Sequence, residues 1–99
     1  MTSAPTFRPN DIVQHFKREK YFKEHPEHLH NPQFKNMYLY KIIDTGINTE
    51  THEKMMIYQA MYGDFTIWIR PYDMFISKVN KEKYPDITQK YRFEVVKHY

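Results

Sequence analysis

Ninety-nine residues with a formal net charge of +3 suffice for one small core, so a single domain over residues 1–99 is expected. With no cysteine, the chain holds no disulfide, no thiolate nucleophile and no cysteine-ligated zinc, which suits a reducing compartment and makes the cytoplasm the expected location. No apolar run reaches the roughly 18 residues of a membrane span, and Met1 to Pro5 lacks the basic flank and apolar stretch of a secretory signal.

In chain order, a loose lead-in over residues 1–8 ends at the turn signal Pro9-Asn10-Asp11, and Ile12 to Phe16 predicts a first strand. Residues 17–36 form a charged, histidine-rich insertion broken by Pro26 and Pro32. Within it Lys17 to Lys23 can make one or two helical turns before Pro26 stops them. A second strand is predicted over 37–44, a polar hairpin loop over 45–54 and a third strand over 55–62. Gly63-Asp64 then turns the chain, and 65–70 returns antiparallel until Pro71, which cannot donate to a ladder. Alternation in that strand puts Phe65, Ile67 and Ile69 on one face, expected to be core, and Thr66, Trp68 and Arg70 on the other. Tyr72 to Phe75 makes a turn, Ile76 and Val79 return to the core, 80–89 is a polar loop, and 91–96 is the last strand.

Nine Tyr, seven Phe and one Trp favour pleated strands over helices and supply much buried area to a short chain. Five or six short strands leave one face of a flat sheet bare; curling the sheet covers that face and reduces free edges. The expected fold is therefore mainly β: a small, strongly bent antiparallel β-barrel. Its core covers residues 9–96, with a long loop or short helix inserted over 17–36.

Five segments, in order, are Asp11-Ile12-Val13-Gln14-His15-Phe16, Thr49-Glu50-Thr51-His52-Glu53, Ile57 to Tyr62, Trp68 to Phe75, and Tyr91-Arg92-Phe93-Glu94. Together they resemble a small, mainly bacterial family catalogued as domain of unknown function 1653, over most of residues 9–95. The resemblance implies a compact Src-homology-3-like β-barrel and no established activity. Shorter members of the family join the first two strands by a tight Lys-Gly turn, so the insertion over 17–36 is a departure.

Three constellations carry chemistry. Glu50, His52 and Glu53 can do acid–base work if burial separates their proton affinities; otherwise they belong to a hairpin loop in which Thr49, Thr51 and the carboxylates cap backbone N–H groups. Trp68 and Arg70 offer a stacking platform beside a cationic fork, with Tyr58 as neighbour and Glu50 and Glu53 at the rim. The alternative has Trp68 covering a second apolar cluster and Arg70 tied to Glu50, Glu53 or Asp73. His25, His28 and His30 are candidate metal ligands, weakened by Pro26 and by the absence of a regular pattern.

No glycine-rich phosphate loop, dinucleotide fingerprint or serine elbow is present, which lowers the prospect of an enzyme. The reading is a non-catalytic binding or accessory module with an aromatic and arginine face, taking a small ligand or a protein or peptide partner and needing no cofactor. A small acid–base or metal-dependent hydrolase using Glu50, His52, Glu53 and Arg70 is one alternative, and an adaptor working through residues 17–36 is another. Nucleic acid is not favoured, because basic and acidic residues are interspersed, as in Lys17-Arg18-Glu19-Lys20.

Overall fold

The computed structural model describes residues 6–98; most of the lead-in expected over 1–8, including Met1 to Pro5, lies outside the described residues. Five strands follow one another as β1 (Ile12–His15), β2 (Leu39–Ile47), β3 (Lys54–Ala60), β4 (Ile67–Pro71) and β5 (Phe93–Lys97). Between β1 and β2 lie helix α1 (Lys17–Glu24) and two 3-10 turns, Pro26–His28 and Pro32–Phe34; a single helical turn, α2 (Tyr72–Phe75), follows β4. Among the described residues no helix is long and apolar enough to cross a membrane.

The strands form one antiparallel sheet in the order β4-β3-β2-β1-β5. The sheet does not close into the barrel expected from the sequence. Its edge strands β4 and β5 meet through side chains, with the Arg70 guanidinium 5.8 Å from the centre of the Phe93 ring, instead of through a ladder. What fills the concave side is α2, whose Phe75 is fully buried and stacks on Phe93 at 3.9 Å with the planes 7° apart. The helical turn covers the apolar face, so that face needs no further strand pairing to leave water.

The core is aromatic, as the composition requires. Tyr40, Tyr58, Phe75 and Phe93 meet edge-on or stacked around Val13, Ile42, Met56 and Ala60. Val79 reaches a second cluster, with Phe16 and Ile87 under Tyr84. The buried amide of Gln89 donates to the carbonyls of Gln14, Tyr91 and Arg92 and accepts from the Gln14 side chain, joining this cluster to β1.

The assignment of faces on β4 is reversed from expectation. Met56 lies opposite Arg70 and Tyr58 opposite Trp68, and directly opposed residues share a face, so Trp68 and Arg70 stand on the core side. Phe65, Ile67 and Ile69 are 59%, 56% and 63% exposed. The cause is the hairpin register. Gly63 and Phe65 both take left-handed backbone angles (φ 61° and 55°), and the chain re-enters the sheet only at Ile67, not at Phe65. Met56, Tyr58 and Ala60 are already committed to the core from β3, and their cross-strand partners must follow them.

Helix α1 is not a loose insertion. The Glu19 carboxylate accepts from the Thr88 backbone N–H (2.7 Å), the Thr88 hydroxyl (3.0 Å) and the Gln89 N–H (3.0 Å), and pairs with Lys23 at 2.9 Å. Desolvation works to raise the proton affinity of this carboxyl, but the donors from Thr88, Lys23 and Gln89 outweigh it and hold the pKa at about 2.

Candidate functional site

Where β4 and β5 fail to pair, a cleft of about 150 Å³ opens on the concave side. Tyr58, Trp68, Arg70 and Phe93 form its walls, and His15, Lys17, Tyr38 and Tyr40 close it from the side of β1 and β2. Trp68 remains 51% exposed, so one part of the indole packs and the rest faces the opening. Tyr38 enters the wall in a left-handed conformation (φ 59°), a strained state for a bulky residue and one that marks this margin of the cleft.

Arg70 is the pivotal side chain. Its Nε donates to the Tyr58 hydroxyl at 3.2 Å, and its guanidinium lies over Phe93. Among the described residues neither terminal nitrogen has a protein acceptor, and no carboxylate lines the cleft. The arrangement aims an oriented cation at a ring-lined space. The ties to Glu50, Glu53 or Asp73 weighed from sequence do not form.

His15 sits behind Arg70 and is only 7% exposed. Burial, and then the charges of Arg70, Lys17 and Arg92, lower its pKa to about 3, so the ring is neutral at neutral pH. Its Nδ1 accepts the Lys17 N–H at 3.1 Å, which leaves the proton on Nε2 and makes that edge a donor. Tyr40 donates to or accepts from Tyr62 at 2.8 Å, and burial together with that bond pushes its hydroxyl far above the usual phenol range. The polar groups at the base of the cleft are therefore neutral, and those at its mouth are cationic.

A second cleft of about 270 Å³ adjoins the first and shares His15, Lys17 and Arg70 with it. Lys83 and Arg92 complete a group of four cations around this space, again without a lining carboxylate. None of the four makes an ion pair among the described residues.

The remaining candidates lie elsewhere. Glu50, His52 and Glu53 occupy the exposed turn after β2 and line neither cleft. There the Asn48 carboxamide oxygen accepts from the N–H groups of Glu50 (2.9 Å) and Thr51 (3.2 Å), and the Thr51 hydroxyl accepts from Glu53 (3.2 Å). The turn is capped as the structural alternative expected, but by Asn48 with Thr51; among the described residues neither Thr49 nor the carboxylates cap it. His25 and His28 come together with Glu27 in the first 3-10 turn; His30 is outside that group. The sequence reading passed over Lys17, Phe93 and Arg92 and did not place His15 at this face. A signal for His15 was available, since it stands two residues from Val13 and so shares its face.

A family model described as Protein of unknown function (DUF1653) matches residues 11–95, nearly the whole chain. The chain belongs to this family. No curated protein and no solved structure matches it. Both clefts of this DUF1653 chain are built from residues inside the matched span.

Proposed function

We propose that this chain is a non-catalytic binding module for a small ligand that joins a flat ring to an anionic group. The observation that carries the reading is Arg70: oriented by Tyr58, unpaired at its terminal nitrogens among the described residues, and facing a space walled by Trp68, Tyr58 and Phe93. A space near 150 Å³ suits one ring of benzene size. It is too small for the drug-sized ligands, roughly 300 Å³ and above, of typical pockets. Stacking on Trp68 would hold the ring, while Arg70 and the Nε2–H of His15 would take the anion. The cationic second cleft provides room for that anion to be a phosphoryl group instead of a carboxylate.

The same features support an opened version of the Src-homology-3-like architecture. Four strands run as a meander, the fifth returns beside the first, and a helical turn precedes it. On that view the insertion over 17–36 supplies one wall of the ligand face through Lys17.

Phenyl phosphate is the direct probe, with phenol and inorganic phosphate as its halves. Titration followed by NMR should move the resonances of Trp68 and His15 with phenyl phosphate and much less with either half. Trp68→Ala should weaken binding by about tenfold or more, the loss of one stacking contact. Arg70→Met should do the same by removing a charge-assisted bond, with each fold retained in the spectrum. Unmoved Trp68 and His15 signals, or equal binding by both folded variants, would end this reading.

A further inference from the structure

We infer that His25, Glu27 and His28 form a binding site for a first-row divalent transition ion of the zinc, nickel or copper type, independent of the clefts above. One donor atom from each residue lies within 4.8 Å of the others. Glu27 Oε1 stands 3.5 Å from His25 Nδ1 and 3.7 Å from His28 Nε2. A tetrahedral zinc ion with bonds near 2.0 Å asks for donor separations of roughly 3.3 Å. Even with the third side at its 4.8 Å limit, the centre of such a triangle lies roughly 2.4 Å from each corner, a few tenths of an ångström beyond a zinc bond.

The local sequence explains why these donors converge. Pro26 opens a 3-10 turn, and in that helix side chains at positions i and i+3 eclipse. His25 caps that turn from outside it (φ -130°, ψ 63°) and His28 is its last residue, so the turn carries His28 back toward the cap, where the two rings stack at 5.1 Å with planes 12° apart. The proline that argued against a site in the sequence is the residue that brings the imidazoles together.

His28 is also held from behind. Its ring stacks on Phe34 at 4.0 Å, and its Nδ1 lies 2.8 Å from the Tyr21 hydroxyl. A ring whose Nδ1–H donates to Tyr21 presents Nε2 as a free lone pair toward Glu27, the usual way a ligating imidazole is oriented by its second nitrogen. Two imidazoles and a carboxylate favour borderline divalent ions over magnesium or calcium. A fourth position would remain for water, and the ion would clamp the end of α1 to the turn that follows it.

Zinc and cobalt(II) are the probes. The full chain should take up one equivalent of zinc by calorimetry, and cobalt(II) should develop the visible bands of a low-coordinate site. His25→Ala and His28→Ala should each weaken zinc binding by more than about tenfold, and Tyr21→Phe by a smaller factor, as for loss of an orienting partner. His30→Ala, which lies outside the group, should bind as the parent chain does and serves as the control for folding. Failure of the parent chain to bind zinc would overturn the inference. So would unchanged affinity in His25→Ala and His28→Ala, or a loss that follows His30 instead.

Discussion

On the concave side of β4, Trp68 and Arg70 stand over Tyr58 and Met56; on its convex side, Ile67 and Ile69 lie open beside the same neighbours' outward residues. Judged by hydrophobicity alone, the isoleucines should be inside. They are outside because β4 is an edge strand with a single partner, and β3 has committed Met56, Tyr58 and Ala60 to the core. The polar and bulky pair is then carried to the inner face by register, and the gap it cannot fill becomes the cleft. The cleft-facing residues on this strand are thus the ones least suited to close packing.

Three perturbations sharpen this contrast. Phe75→Ala removes the side chain that plugs the concave face and stacks on Phe93, and should cost about 3–5 kcal/mol in urea unfolding. A cost under 1 kcal/mol would mean that the concave side is not the core. The second concerns His15, buried and neutral on the same side. Its folded pKa near 3 lies below the unfolded value of 6.5, so the unfolded chain binds the extra proton between those limits. The stability that His15 contributes is whole above pH 6.5 and drains away as the pH falls toward 3, by an amount on the order of a few kcal/mol. His15→Asn, whose carboxamide oxygen can accept the Lys17 N–H in place of Nδ1, should flatten the stability curve between pH 6.5 and 4.5. An unaltered slope would place the titrating group elsewhere. The smallest effect belongs to the convex side: Ile69→Thr should change stability by no more than about 0.5 kcal/mol, read from the thermal midpoint.

Much of the architecture was legible because strands announce themselves through local chemistry. The runs at Ile12, Met55 and Trp68, the turn glycine at 63 and the proline at 71 all delimit elements within a few residues of their observed ends. The convergence of Trp68, Arg70 and Tyr58 was legible too, since the hairpin brings two adjacent strands together. The choice of inner face was not. Period-two alternation sorts side chains into two sets, and where both are large it does not say which set is buried. That choice was made by a left-handed Phe65, a conformation that the residue type argues against. Equally hidden were the contacts that join distant segments. Glu19 meets Thr88 and Gln89, and His15 meets Phe93, across most of the chain, and neither pair shows a local pattern. Glu50, His52 and Glu53 mislead for the converse reason. Dense chemistry in sequence became an exposed turn to which, among the described residues, no distant side chain is brought.

The position of β1 between β2 and β5 sets the order in which the molecule can be completed. β1 pairs with β2 over a short stretch of chain, whereas its other hydrogen-bonding edge is met only when Val95, much farther along the sequence, lies opposite Val13; the second pairing closes the longer loop and carries the larger entropic cost. Until that pairing forms, the four strands of the meander lack Phe93. The aromatic stack on Phe75, and the cleft with it, therefore depend on this long-range pairing.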